Sequence, residues 1–414
     1  MASMKTRVFL RVIVCGLLLV AFIPTGAVRA ANPSTVKIGV LASLTGSGFS
    51  LGRNTVAALQ IAAADLQNIH PQYNPVQYRF LVRDTQHDPS RALNAIQDLN
   101  ARGVKIIIGP QTSSEVAMIK PFADAHNILV ISQGSTASSL AIPGDNILRF
   151  CPNDRREAEA LVALLQHDGI RAIVPLWRND AGNNGLHDSV KIRFQAFGGR
   201  VTSGFPYEPT TTDFSAATAS VASQVENLIG AGRDPSTVAV YIAAFDEVVE
   251  IFHSASQESQ QMHFRVSAYG SDGVALSAAL IADSTAAAFA ASVGYPNPIF
   301  GLPDALRNRW QPIADEIEAR TGIQPDAFAL SAYDALFVVN LALQHPKPLK
   351  NFDRFKAAVI EEADHYQGVT GSTALDAAGD RLSGDFDFWA VRLRNGSYTW
   401  IRVANYNNGV LTVF

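Results

Sequence analysis

The sequence predicts an α/β protein built from two doubly wound lobes. From Val36 onward, short β-branched runs alternate with Ala-rich helical stretches, the pattern that α/β layering demands. The alternation passes through two successive series, and 414 residues suffice for two or three domains that each bury a core. With 48% hydrophobic and 17% charged residues, disorder, coiled coil and collagen are excluded.

Ahead of the first strand, Lys5, Arg7 and Arg11 precede an apolar run from Val12 to Ile23, closed by Pro24 and Gly26. This predicts a secretory signal peptide over residues 1–30, with Val28-Arg29-Ala30 at the cleavage site and an exported, periplasmic mature protein. Removing Lys5, Arg7, Arg11 and Arg29 from the 33 basic residues leaves 29 against 37 acidic ones, a net charge of −8. Nucleic acid and anionic membranes are therefore poor partners. Cys15 leaves with the signal, and its place within the apolar run argues against a lipid anchor. Cys151 alone makes no internal disulfide.

The first series reads as strand Val36–Leu41, helix Thr55–Gln67, strand Val76–Val82, helix Arg91–Ala101 and strand Val104–Ile108. It continues with helix Glu115–Ala125, strand Ile128–Ser132 and strand Asn146–Phe150. The second runs through helix Asp154–His167, strand Arg171–Leu176, helix Asn184–Phe197, strand Arg200–Phe205 and helix Asp213–Ile229. It closes with strand Val238–Ala243, helix Glu247–Ser256 and strand His263–Ala268. After Pro296 and Pro298 come helices Ala305–Arg320 and Asp326–Leu343. A hairpin then turns at Asn395-Gly396 within Phe386–Val403, since Asn-Gly between alternating strands is a strong hairpin signal.

Gly48-Phe49-Ser50-Leu51-Gly52 matches the nucleophile elbow of serine hydrolases, but the strand ends about eight residues before Ser50, and Thr45–Ser50 reads as a loop. A hydrolase using Ser50 is thus a minor alternative. No dinucleotide fingerprint, phosphate-binding P-loop, H-E-x-x-H or C-x-x-C is present, so no cofactor or metal is expected. His87, His126 and His187 read as solvated loop or helix residues.

Two polar clusters follow predicted strands, where open α/β sheets place their ligands. They are Gly109-Pro110-Gln111-Thr112-Ser113-Ser114 and Ser132-Gln133-Gly134-Ser135-Thr136-Ala137-Ser138. Their hydroxyls and free N–H groups form a cradle for a carboxylate, and Ser113 or Ser114 also suits a helix cap. In the second series, Tyr269-Gly270-Ser271-Asp272-Gly273 sets a carboxylate on a Gly-flanked turn, suited to an ammonium group or to capping a helix over Val274–Ile281.

The chain resembles the leucine/isoleucine/valine-binding type of ABC-transporter substrate-binding protein, with the type I periplasmic binding fold. The resemblance rests on Lys37-Ile38-Gly39-Val40 through Leu44-Thr45-Gly46, Asp84 with Asp88-Pro89, Ile107-Ile108-Gly109-Pro110, Thr212-Asp213-Phe214-Ser215 and the Gly270–Gly273 turn. It implies two Rossmann-like lobes joined by a three-stranded hinge, with crossovers near Phe150–Asn153, Ala291–Pro296 and Gly371–Leu375. Lobe 1 would comprise residues 31–150 and 296–370, taking back the helices after Pro298, and lobe 2 residues 151–295 and 371–414. It implies that Ser113, Gly134 and Thr136 grip the α-carboxylate and α-amino group of an amino acid. Asp272, where relatives often carry Glu, would accept from the ammonium, and Phe245 would cover it.

The aromatic walls that relatives place on the first loop and near residue 182 are replaced by Leu51 and Gly182, which predicts a wider cavity and a ligand larger than or different from leucine. The positions of a disulfide found in some relatives hold His87 and Thr112. The implied partners are a small carboxylate-bearing ligand and an ABC permease, with the protein itself a monomer and not an enzyme. An amine-free aromatic or aliphatic carboxylate is the alternative ligand.

Overall fold

The computed structural model describes residues 34–69, 76–260 and 266–414. The predicted signal peptide, and the start of the strand expected from His263, lie outside them.

The first series folds as β1 (Ser34–Ala42), α1 (Phe49–Ile69), β2 (Val76–Asp84), α2 (Pro89–Ala101), β3 (Ile106–Ile108), α3 (Ser113–Ala125), β4 (Leu129–Ser132) and β5 (Ile147–Arg149). Its strands form a parallel sheet in the order β2-β1-β3-β4-β5. Short strands apolar on both sides demand cover on both faces, and the two-residue period distributes it. Ile106 and Ile108 enter a core with α1, whereas Ile107 between them enters one with α2 and α3. The β1–β2 register runs from Ser34↔Val76 to Ala42↔Asp84 and so sets Asp84 beside the loop that leaves β1.

The second series comprises α4 (Asp154–His167), β6 (Ala172–Arg178), α5 (Ala181–Ala196), β7 (Arg200–Val201), β8 (Phe205–Tyr207), α6 (Ser215–Gly230), β9 (Val238–Ala243), α7 (Val248–Gln260), β10 (Ser267–Tyr269), α8 (Ala278–Ala282) and α9 (Ser284–Ser292). Its sheet runs β10-β9-β6-β7, with β8 also paired to β6. The strand expected over Arg200–Phe205 is therefore two short pieces, broken where Gly204 adopts a φ of +62° against Pro175.

The chain then forms β11 (Asn297–Phe300), α10 (Arg307–Thr321), α11 (Ala327–Leu343), α12 (Phe352–His365), the short pair β12 (Gln367–Gly368) and β13 (Gly371–Ser372), and β14 (Phe386–Arg394), β15 (Ser397–Asn407) and β16 (Val410–Val413). The hairpin expected at Asn395-Gly396 joins β14 to β15, and Asn408-Gly409 makes a second one to β16. α9, β11 and α12 have no counterpart in the sequence reading, although α12 buries Phe355, Ala358, Val359 and Ala363 at helical spacing.

α10, α11 and α12 pack on the first sheet, in one core with β1 and α1. β14 and β15 pack on the second, with Val391 and Trp400 in one core and Phe386, Phe388 and Ala404 in another. Residues 150–153 link β5 of the first sheet to α4, which precedes β6 of the second. The second crossover falls after Phe300 rather than at Ala291–Pro296, because β11 pairs antiparallel with β14. The third falls after Leu375, which is still packed in the first core.

Candidate functional site

The loop leaving β1 is tied down by Asp84, whose carboxylate accepts from the Leu44 N–H at 2.8 Å and the Thr45 hydroxyl at 2.6 Å. α1 then begins at Phe49, so Ser50 sits in the first turn of a helix and not in the expected loop. Ser50 does not line the cavity described below and lacks the strand-to-helix turn that a nucleophile elbow needs. Leu51, one residue on, does line it.

At the end of β3, Thr112 caps α3 with a capping box: its hydroxyl accepts from the Glu115 N–H at 3.3 Å, and its own N–H donates to Glu115 at 3.3 Å. The cap is thus Thr112 rather than Ser113 or Ser114, which frees both serines. The Ser113 hydroxyl accepts from the Ser135 hydroxyl and the Ala137 N–H, each at 3.1 Å. The Ser132 hydroxyl, in turn, accepts from the Ser135 N–H and donates to Pro110 O. The two clusters predicted as a cradle are therefore one hydrogen-bonded unit. Arg149 holds it from behind, donating to Ser135 O at 3.1 Å and Ala137 O at 2.6 Å while its guanidinium pairs with Asp380. A β-carbon on Gly134 would lie 2.5 Å from Gln111 Cγ, which explains glycine there.

Across from the cradle, the β10 end presents Asp272. It does not cap a helix, because Ser277 caps α8 and the intervening residues form a turn. Its N–H donates to Glu157 on α4 at 3.1 Å. Burial, aggravated by the charge of Asp154, pushes Asp272 up to about 7, and burial pushes Asp154 up to about 6 and Glu157 well above its ordinary value. Glu157 Oε2 and the buried Tyr241 hydroxyl lack hydrogen-bond partners, while Asp154 is eased in part by Thr136, the Ser138 N–H and the charge of Arg149. This face of the site is short of positive charge. Arg178 does not supply it, being paired with Asp180 at 2.9 Å and Glu247 at 3.2 Å.

Between the two faces lies a cavity of about 40 Å³. Of the residues predicted to bind ligand, Leu51, Gln111, Ser113, Gly134, Thr136, Gly182, Phe245 and Asp272 line it. Ser114 and Ser135 do not: Ser135 is wholly buried behind Ser113, and the Ser114 hydroxyl accepts from the Ala181 N–H of the opposite lobe at 3.2 Å. A second link between lobes runs from the Gly48 N–H to Asp246 at 2.8 Å, with Ser277 donating to the same carboxylate at 2.6 Å.

The cavity is narrow where a wide one was expected. His87, read from sequence as solvated, is buried against Phe245 with ring centroids 5.2 Å apart, and Phe328 lines the same space. These rings share the cavity wall with Leu51 and Gly182. His187 is likewise buried, stacked on Trp177 at 3.9 Å, while His126 is exposed as expected. Asn183, Leu186, Phe328 and the acids Asp154 and Glu157 were also missed. His87 alone had a usable signal, since it lies just past the carboxyl end of β2, where the switch-point rule directs attention.

Comparison with known proteins finds the family model described as "Receptor family ligand binding region" over residues 54–393. An uncharacterised protein of Methanocaldococcus jannaschii is 25% identical, covering 86% of this chain and 87% of its own length. Glutamate receptor 3.7 of Arabidopsis thaliana is 27% identical over 37% of this chain but only 17% of its own length. Among solved structures, the leucine-binding protein LivK of Thermotoga maritima superposes with a TM-score of 0.71 at 22% identity, covering 90% of this chain and 99% of that one. An R. palustris solute-binding protein in complex with 4-hydroxybenzoate gives 0.72 at 13% identity, covering 91% and 98%. Two parallel sheets that face one cavity across three crossovers, in a chain matched by the family model over most of its length, belong to the receptor family ligand-binding region, with the type I periplasmic binding-protein fold.

Proposed function

We propose that the protein is an exported solute receptor, a monomer that closes two lobes around an amino acid or close derivative and delivers it to an ABC importer. The lobes are divided as residues 34–150 with 301–375 and residues 151–300 with 376–414, the expected boundaries at 295 and 370 being shifted by β11 and Leu375. The carrying observation is the opposition of a neutral hydroxyl and N–H cradle, built on Ser113 and Thr136, to a buried carboxylate cluster around Asp272 in which, among the described residues, no acid is salt-bridged. A carboxylate suits the first face and an ammonium the second. Closure supplies a state difference for a transporter to read, since the lobes meet through Gly48–Asp246 and Ser114–Ala181. Among the described residues no helix is long and apolar enough to cross a membrane, which fits a receptor that works with a separate permease.

An amine-free carboxylate is the second reading, favoured by the apolar Leu51 and the bare Gly182 in the cavity wall. Solute-binding proteins of this fold have been solved with benzoate and with 4-hydroxybenzoate. A thermal-shift screen of the mature protein against amino acids and amine-free acids separates the two, because ligand at 100 times its Kd adds about 2.7 kcal/mol. Stabilisation by amino acids supports the first reading. Stabilisation confined to amine-free acids discards it and reduces Asp272 to a turn residue.

A further inference from the structure

The cradle and the acids account for the two ends of an amino acid, yet two more polar side chains line the same cavity without partners. Both ring nitrogens of His87 are buried and make no hydrogen bond, and the residue is 9% exposed. Gln111 Oε1 is in the same condition, on a residue 7% exposed. Buried polar atoms are nearly always satisfied, and leaving one unpaired costs its full desolvation. Two in one small cavity are a demand for a partner that the protein does not meet from its own side chains.

Both groups are held in place. Gln111 is wedged against the bare Cα of Gly134, and the His87 ring occupies the space of a missing side chain at Gly48, where a β-carbon would lie 1.8 Å from its Cε1. Phe245 packs against the imidazole at an interplanar angle of 56°. Burial, reinforced by the charge of Arg178, lowers the His87 pKa to about 4. The ring is neutral at physiological pH, with one nitrogen donating and one accepting, and Gln111 Oε1 only accepts.

We infer that His87 and Gln111 read the ligand's side chain, and that the receptor selects a short, uncharged, hydrogen-bonding side chain, a hydroxyl or carboxamide, over an aliphatic one of equal size. This inference rests on the amino-acid reading above and specifies its ligand class. An aliphatic side chain leaves three buried polar atoms unpaired, while a hydroxyl or amide offers both donor and acceptor.

The test is calorimetric titration of the mature protein with shape-matched pairs: threonine against valine, and asparagine against leucine. The expected result is a preference of about tenfold or more for the polar member of each pair. His87→Leu and Gln111→Leu should each bring that ratio close to one, and His87→Gln should restore part of it. The wild-type ratios decide the matter even where a variant fails to fold. Tighter binding of valine and leucine overturns this inference and leaves the amino-acid receptor standing. Binding of amine-free acids alone overturns the reading beneath it, and 3-hydroxybutyrate against butyrate then judges His87 and Gln111 separately. Absence of heat with every compound overturns both.

Discussion

The two faces of the cavity are built on opposite principles. On the first lobe, Ser113, Ser132, Ser135 and the backbone of the cradle satisfy one another, and a buried Arg149–Asp380 pair fixes them from behind. On the second, Asp154, Glu157 and Asp272 crowd together, and burial raises the pKa of all three. The first face is preorganised and has little to gain from a ligand beyond shape and a few donors. The second holds an electrostatic debt that a cation relieves. Affinity and selectivity for charge should therefore reside in the second lobe, and fold integrity in the first.

The largest expected effect breaks the quiet side. Arg149→Leu leaves Asp380 charged and unpaired at 1% exposure and frees the cradle loop, so unfolding by denaturant should show a loss of about 3–5 kcal/mol. A loss below 1 kcal/mol would mean that the cradle stands without its brace. Next, Asp272→Ala should weaken an ammonium-bearing ligand by roughly 100-fold while barely moving an amine-free acid, as read by titration. Equal losses for both classes would remove Asp272 from its assigned role.

pH sharpens the contrast. Asp272 has a folded-state pKa raised to about 7, so ionising it carries a penalty that accumulates as pH rises from about 4 to about 7. The free protein should lose stability across that window as pH rises. An ammonium-bearing ligand favours the ionised form, so its affinity should climb in the same window by up to about tenfold per pH unit. A flat affinity profile would mean that the ligand does not engage the acids. The smallest effect concerns closure: Asp246→Ala removes the acceptor for the Gly48 N–H and should weaken every ligand alike, by about fivefold. Selective weakening of one ligand class would place Asp246 inside the recognition surface instead.

The cradle was legible from sequence because local chemistry announces it: hydroxyls and glycines directly after strands β3 and β4. The acid cluster was not. Glu157 meets Asp272 across 115 residues of chain, and its burial depends on how α4 lies against the second sheet. His87 was misread for a related reason, since a histidine in a polar loop is ordinarily wet, and here the bare Gly48 and the approach of Phe245 from the other lobe enclose it. Within the fold, the parallel strands were read well because they are continuously apolar. β11 was missed because Pro298 interrupts it, and its partner β14 lies beyond three helices. The length of α1 was underestimated at its start, where Gly48 turns left-handed and admits the helix at once.

α11 carries a consequence for how the molecule comes into being. All its residues but Phe337 and Leu341 are buried, and its Asp334 carboxylate accepts from the N–H groups of Val369 and Thr370. It completes the first core, yet it is translated only after the entire second sheet. The ribosome therefore releases the second sheet while the first still lacks a wall, and a fragment ending at residue 150 has no folding unit to become. Assembly of the first lobe must wait until the chain has emerged past Leu375, and the second waits longer still, for β14 and β15 to cover its cores, so neither lobe is finished before nearly the whole chain is out.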